Sequence, residues 1–135
     1  MTSGYSGTPL HKKLGFQDGM TVLQVAMPRE VRAQIDAEVR GIDWTGRPKQ
    51  IGAAHLFVTE CTELKKQLVA IRKRLLPTGF IWVSWPKKSS GMASDVTENR
   101  IRDIALPLKL VDIKVCAVTE IWSGLKFVVP VKDRG

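Results

Sequence analysis

The chain has 135 residues, of which 44% are hydrophobic and 25% charged, a composition typical of one globular domain. No apolar run approaches the roughly 20 residues of a membrane-spanning helix, and the first residues lack the apolar core of a signal peptide, so we expect a cytoplasmic protein with no membrane partner. The net charge of +8 favours anionic partners. Two cysteines and two histidines without metal-ligand spacing predict reduced thiols and no metal site.

The N-terminal third predicts an arm, a strand and a helix. Residues 1–13 are small, polar and basic, which predicts a flexible basic arm ahead of a single domain at residues 14–135. Residues 20–26 are rich in β-branched and apolar side chains and predict a first strand. A proline typical of a first helical turn follows, and apolar residues at helical spacing predict a helix over 28–41.

The middle of the chain predicts a loop followed by a buried strand and a second helix. Residues 41–52 contain three glycines and a proline and predict a loop, with a short edge strand around 40–44. Residues 53–59 are almost uncharged and predict a buried strand. A helix over 62–75 follows, which we expect the next proline and glycine to end.

The last third predicts a strand, a helix and a hairpin. Residues 80–85 form another uncharged strand, and Asp95 with Glu98 resembles a capping box that starts a helix with Asp95 as its N-cap. The β runs at 110–119 and 125–131 are separated by so short a link that only an antiparallel hairpin can join them.

This alternation predicts an α/β fold of three layers, a Rossmann-like and mostly parallel sheet that ends in a C-terminal antiparallel β-hairpin. The order of elements resembles that of class I methyltransferases. One strand–helix unit of that fold is missing between residues 40 and 53.

Three strings of residues resemble the DUF3052 family of uncharacterised small bacterial proteins. They are Tyr5–Gly15, Trp82–Lys88 and Asp112–Lys126. The resemblance implies a bacterial cytosolic α/β domain and carries over no activity and no catalytic residue.

Ligands of open α/β sheets usually bind at the carboxyl edge of the strands. We expect residues 27–29, 59–61, 85–94 and 120–124 to meet there, joined by 41–44 if the edge strand forms. The candidate ligand-binding residues in these segments are Arg29, Asp43, Thr59, Lys87, Lys88, Ser89, Ser90, Glu120 and Trp122.

Within this group, Lys87 and Lys88 can hold an anion, the two serines that follow can add hydrogen bonds, and Trp122 offers a stacking surface. Against a phosphate site stands Asp95, since a carboxylate at a helix N-terminus occupies the amides that a phosphate would use. A ligand site and a merely solvated loop both remain open.

A methyltransferase needs a glycine-rich turn after its first strand, where the cofactor approaches the backbone. Residues 26–30 contain no glycine, although Asp43 lies at about the ~20-residue spacing of a ribose-binding acid. We therefore predict no cofactor and consider S-adenosylmethionine disfavoured.

The cysteines and histidines give little support for nucleophilic catalysis. Cys61 lies near a predicted helix start, where the dipole can lower a thiol pKa, but His55 begins the preceding strand and is expected at the opposite end of the sheet. We expect Cys61 to be inert and Cys116 to lie in the core.

Three functions remain open on the sequence alone. The first is a non-catalytic or vestigial Rossmann-like domain that binds an anionic ligand or acidic partner at the lysine edge. The second is a small methyltransferase-like enzyme with an atypical cofactor mode. The third is a nucleic-acid-associated protein that uses the basic arm and the basic helix over 62–75, where no stacking aromatic accompanies the charge.

Overall fold

The structure, a computed structural model, describes residues 7–45 and 48–134 and contains one six-stranded sheet. The strands are β1 Thr21–Val25, β2 Asp43–Thr45, β3 Ile51–Phe57, β4 Leu75–Pro86, β5 Val111–Ala117 and β6 Trp122–Val128. Their order is β2-β1-β3-β4-β6-β5. Strands β1 to β4 are parallel, and β6 runs antiparallel to both β4 and β5. The predicted mostly parallel sheet with a C-terminal hairpin is confirmed.

Helices cover both faces of this sheet. They are α1 Leu10–Leu14, α2 Arg29–Glu38, α3 Cys61–Arg72 and α4 Glu98–Ala105, with short 3₁₀ turns at Lys88–Ser90, Leu106–Leu108 and Val131–Asp133. Apolar residues of α1 and α2 pack on one face, and those of α3 and α4 pack on the other. Successive strand residues therefore alternate between two buried faces, which explains why β3 and β4 are apolar almost throughout. Trp82 and Trp85 lie on opposite faces, as their spacing predicts.

The region predicted as an arm is partly a docked helix. Leu10 and Leu14 of α1 are buried, and the indole Nε1 of Trp82 donates a 2.8 Å hydrogen bond to the carbonyl of Leu14. His11 adds a contact with α2, since its Nδ1 lies 3.1 Å from the carboxylate of Glu38. The arm prediction fails for residues 10–13 because two leucines four positions apart give this short helix an apolar face. Residues 1–6 of the predicted arm lie outside the described part of the chain.

The helix predicted over 62–75 ends earlier, at Arg72, because the chain re-enters the sheet at once. Leu75 already pairs with Ile51, and the amide of Ile51 donates to the carbonyl of Arg74 at 2.8 Å. The register then shifts, so that Ala53 pairs with Phe80. The proline and glycine expected to end the helix thus lie inside an irregular stretch of β4.

The short edge strand predicted around residues 40–44 is present as β2 and pairs with β1 in parallel, with Asp43 opposite Thr21. Only residues 46–50 join β2 to β3, too few for a further strand and helix. The topology is therefore consistent with the prediction that one strand–helix unit is missing between residues 40 and 53.

Two boundaries near the C-terminus also differ from the prediction. The N-cap of α4 is Thr97, whose hydroxyl accepts a hydrogen bond from the amide of Arg100 at 3.2 Å, and not Asp95. The hairpin turn occupies residues 118–121, since Trp122 and Gly124 already belong to β6. Local patterns offer several capping and turn residues here. Contacts between distant segments decide which of them cap the helix and form the turn.

Candidate functional site

The carboxyl ends of β1, β3 and β4 share one edge of the sheet with the turn of the hairpin. Val25 pairs with Leu56, and Pro86 pairs with Trp122, so the chain leaves each of these strands at a similar level. In open α/β sheets, ligands bind at this carboxyl edge of the strands.

Most of the predicted site residues lie at this edge. Arg29 is the first residue of α2, and Thr59 follows β3. Residues 87–90 follow β4, and Glu120 with Trp122 belongs to the hairpin. The topology therefore brings these segments to one end of the sheet.

Asp43 does not join them. It begins β2 opposite Thr21, the first residue of β1, and its amide donates to the carbonyl of Met20 at 2.8 Å. These contacts place Asp43 at the amino edge, so the expectation that 41–44 lies at the carboxyl edge is wrong. The spacing between the first strand and Asp43 suits a ribose-binding acid. Because β2 pairs with Thr21 to Leu23, the first three residues of β1, it does not carry Asp43 to the carboxyl edge.

The loop after β4, residues 87–92, is held by its own hydrogen bonds. The amide of Lys87 donates to the carbonyl of Ile121 at 2.8 Å, and the hydroxyl of Ser90 donates to the carbonyl of Lys87 at 2.7 Å. The amide of Met92 donates to the same hydroxyl at 3.2 Å. Ser90 therefore stabilises the loop itself, whereas its neighbour Ser89 is exposed.

This loop presents two lysines without ion-pair partners. The side chain of Lys87 is half-buried and that of Lys88 is exposed. Within residues 7–45 and 48–134, no carboxylate lies within 4.0 Å of either ammonium group. The loop therefore offers two uncompensated positive charges on an ordered backbone.

Trp122 contributes packing more than a free surface. It is 7% exposed, and its ring lies 5.1 Å from that of Phe57 in a T-shaped arrangement. The expectation of a stacking surface for a ligand is therefore wrong for most of this ring. A strand residue that faces a helical layer is buried even when it lies next to a turn.

The turn after β1 is the place where the class I methyltransferase fold would receive its cofactor, and its residues do not fit a close approach. Ala26 has a positive φ of 56°, a left-handed conformation that usually requires glycine. The amide of Met27 donates to the side-chain oxygen of Gln24 at 3.2 Å, and Pro28 has no amide hydrogen. The first donors of this turn are therefore used internally or missing.

Asp95 closes the neighbouring turn between β3 and α3. Its carboxylate accepts a 2.8 Å hydrogen bond from the amide of Cys61, while its own amide and the hydroxyl of Ser94 both donate to the carbonyl of Thr59, at 3.2 and 2.9 Å. A cavity of about 280 Å³ lies here, lined by Thr59, Glu60, Ala93, Ser94 and Asp95. The carboxylates of Glu60 and Asp95 disfavour an anion in this cavity.

The Cys61 thiol is not activated, although it is the first residue of α3. Burial raises the pKa of this thiol, and the nearby carboxylate of Asp95 raises it further. The guanidinium of Arg100 has the opposite effect on the pKa and is outweighed. The expectation of an inert cysteine is consistent with this environment, in which the negative charge of Asp95 offsets the helix dipole. Cys116 lies half-buried in β5, where burial also raises its thiol pKa.

His55 is the feature that sequence reasoning missed. It lies in the middle of β3 between Gln24 and Trp82 and not at the far end of the sheet, because β3 begins two residues earlier than predicted. It is fully buried, with Nε2 2.7 Å from the hydroxyl of buried Ser84, and none of the described residues supplies a hydrogen-bond partner for its Nδ1. Burial lowers the pKa of His55 to about 3, so the ring is neutral. Its polar partner is 29 residues away in the chain, which no local pattern reveals.

Residues 7–45 and 48–134 contain no group of three or more histidine, cysteine or acidic side chains that can hold a metal ion. Over the same residues, no helix has the length and apolar character needed to cross a bilayer.

No protein-family model and no curated protein matches the chain, so the resemblance to DUF3052 stays a prediction. Solved structures do match it. A putative type 11 methyltransferase from Sulfolobus solfataricus aligns with a TM-score of 0.61 over 95% of this chain and 92% of that one, at 9% identity. A SAM-dependent methyltransferase from Aquifex aeolicus aligns with a TM-score of 0.56 over 89% and 87%, at 13% identity.

A third match is the fibrillarin pre-rRNA processing protein of Methanococcus jannaschii, with a TM-score of 0.54 over 94% of this chain and 71% of that one, at 11% identity. Identities this low show the fold alone. The chain has a methyltransferase-like α/β fold, as the order of its elements predicts.

Proposed function

We propose that this protein is a non-catalytic domain of the methyltransferase-like fold that binds an anionic ligand or acidic partner at its carboxyl edge through Lys87 and Lys88. The proposal rests on the ordered loop, whose two lysines have no carboxylate partner among the described residues. A loop that is already fixed loses little conformational entropy when a ligand binds. Arg29 at the same edge adds a third positive charge.

The turn after β1 supports the non-catalytic part of the proposal. Catalysis of methyl transfer in this fold depends on a cofactor that passes close to that turn. Here the amide of Met27 donates to the side chain of Gln24, Pro28 has no amide hydrogen, and Ala26 carries a Cβ where such a turn usually has glycine. The acid predicted to bind a ribose, Asp43, lies at the other edge.

One observation favours the alternative of a small methyltransferase-like enzyme with an atypical cofactor mode. Ala26 retains the left-handed backbone that a glycine would adopt in such a turn, at φ 56°. Strained backbone of this kind is common at functional sites. A cofactor that keeps further from the backbone would then take the place of the usual close contact.

Thermal unfolding and calorimetric titration with S-adenosylmethionine, S-adenosylhomocysteine, nucleotides, inorganic phosphate and short DNA and RNA oligonucleotides separate these functions. We expect one or more of the small anions to raise the unfolding temperature and S-adenosylmethionine to leave it unchanged. Stabilisation by the cofactor alone would favour the enzyme. Steeply salt-dependent oligonucleotide binding would favour the nucleic-acid alternative.

A matched pair of double variants tests the site. Lys87→Ala with Lys88→Ala should weaken binding of the anion found in that screen by about tenfold or more, the loss expected for a charge-assisted hydrogen bond of about 1.5 kcal/mol or more. Lys65→Ala with Lys66→Ala removes the same charge from the exposed side of α3 and should change affinity little. Equal losses in both variants would contradict a site at Lys87 and Lys88.

A further inference from the structure

A second group of lysines lies away from the carboxyl edge, on the face of the hairpin beside α1. The register of β5 and β6 places Lys114 directly opposite Lys126, on the same face of two adjacent antiparallel strands. Like charges in this arrangement destabilise a sheet unless something compensates them.

The third member of the group is Lys13, the penultimate residue of α1. The ammonium of Lys114 donates a 3.2 Å hydrogen bond to the carbonyl of Lys13, which brings the end of α1 to the two strands. The half-buried thiol of Cys116 lies on the same strand face as Lys114. Burial raises the pKa of this thiol, whereas the nearby charges of Lys13 and Lys114 both lower it. Three positive side chains therefore surround one small region, which we call the hairpin lysine cluster: Lys13, Lys114 and Lys126.

Within this cluster the ammonium of Lys126 is held in place over aromatic rings. It lies 4.4 Å from the ring centroid of Phe80 and 6.0 Å from that of Trp82. It also lies 3.6 Å from the position that a Cβ on Gly15 would occupy, so the absence of that side chain leaves space beside the charge. Burial lowers the pKa of Lys126, and the charge of Lys114 lowers it further, which indicates an ammonium that is only partly hydrated.

The charge of the cluster is not balanced by the protein. Across residues 7–45 and 48–134, none of the three ammonium groups has a carboxylate within 4.0 Å. The aromatic rings and one carbonyl partly offset two of the charges, but neither supplies a full negative charge. An anion with several oxygens can accept hydrogen bonds from more than one ammonium at once.

We propose that the hairpin lysine cluster binds a phosphate group, either as free phosphate or as the phosphoryl group of a small molecule, at a site separate from Lys87 and Lys88. A doubly charged tetrahedral anion relieves the repulsion between Lys114 and Lys126 and bridges both to Lys13. The site lies on the face of the sheet and does not use the carboxyl edge.

The test uses the full chain with Lys87→Ala and Lys88→Ala as background, so that binding at the carboxyl edge does not contribute. Titration with inorganic phosphate, and separately with a sugar phosphate, is followed by amide NMR at matched ionic strength, with chloride as the reference salt. We expect saturable shifts at Gly15, Gly124 and Lys126 with at least one of the two compounds, and the compound that binds more tightly identifies the source. Shifts with neither, or the same shifts with chloride, would overturn the proposal.

Two variants in that background locate the site. Lys126→Met keeps an unbranched chain over Phe80 and removes the charge, and Lys114→Gln changes an exposed side chain. Each should weaken phosphate binding by about tenfold, as expected for one charge-assisted contact. Lys65→Gln with Lys66→Gln on α3 should leave it unchanged. If Lys126→Met does not fold, Lys114→Gln decides alone, and unchanged affinity in Lys114→Gln would overturn the proposal.

Discussion

The carboxylate of Asp95 accepts a hydrogen bond from the backbone amide of Cys61 at 2.8 Å, across 34 positions of sequence. The acid that precedes α4 therefore caps α3, and it joins the segment between β4 and α4 to the turn after β3. α4 begins with its own cap, the hydroxyl of Thr97. One loop thus stabilises the start of two helices.

Removing the Asp95 carboxylate should destabilise the protein. Asp95→Ala leaves the amide of Cys61 without its acceptor and should lower the free energy of unfolding by about 1 kcal/mol, the usual loss for an N-terminal cap. Asp95→Asn retains an acceptor oxygen and should lose less. Urea unfolding measures both, with Thr97→Ala as the comparison for the cap of α4. An unchanged midpoint for Asp95→Ala would show that water replaces the cap at no cost.

The same carboxylate should control the reactivity of Cys61. Its negative charge raises the pKa of the thiol, so Asp95→Asn should lower that pKa and speed alkylation by iodoacetamide near neutral pH. The rate is measured as a function of pH in a Cys116→Ser background, so that a single thiol reacts. Thr97→Ala in the same background is the control and should leave the pH profile in place. A profile unmoved by Asp95→Asn would mean that burial alone sets the thiol pKa.

Acid should destabilise the protein through His55. Its pKa is about 3 in the folded state against the ordinary histidine value of 6.5, so between these values the unfolded chain binds a proton that the folded chain does not. His55 therefore leaves the free energy of unfolding unaffected above about pH 6.5. As the pH falls below this value, protonation of His55 in the unfolded chain lowers the free energy of unfolding, by about 2 kcal/mol at pH 5.

The measurement for His55 is urea unfolding between about pH 7 and pH 5. His55→Gln keeps a polar group near Ser84 and should flatten the pH dependence, even if it lowers stability at all pH values. His11→Gln removes the other histidine and should retain the loss in acid. An equal slope in His55→Gln and the unchanged protein would contradict the assignment.

Gly124 should not tolerate a side chain. A Cβ at this position would lie 2.9 Å from Cγ2 of Val118 and 3.2 Å from Cε3 of Trp82, both in buried side chains. Gly124→Ala should therefore cost about 1–3 kcal/mol, as overpacked cores do. Gly52→Ala is the matched strand control, because its Cβ would lie 3.7 Å from Leu76, an ordinary contact. Thermal unfolding of the two variants compares them, and equal midpoints would show that the hairpin yields without cost.

The fold followed from the sequence because its main signals are local. Uncharged runs such as 80–85 and the short hairpin link each span a few residues, and together with the alternation of strands and helices they predict a mostly parallel sheet that ends in a hairpin. The site was less accessible to sequence reasoning, since its contacts join distant segments. Asp95 has the spacing of a cap for the helix that follows it, and only the packing of its loop onto Thr59 directs it to α3.

Two other residues show the same limit. The spacing of Asp43 from the first strand predicts a ribose-binding acid, but it carries no information on where β2 pairs along β1. The local pattern predicts His55 at the start of a strand, whereas its contact with Ser84 depends on the register between β3 and β4. Register is set by the whole sheet and cannot be read from either strand alone.

The hydrogen bond from Trp82 to the carbonyl of Leu14 joins residues 68 positions apart. α1 precedes every described strand, and two parts of the molecule hold it: α2, through the contact of His11 with Glu38, and β4, through Trp82. During synthesis on the ribosome, α1 and α2 emerge close together, whereas the hydrogen bond to Trp82 has to wait until β4 has emerged as well. The two contacts of one short helix therefore become available at different times.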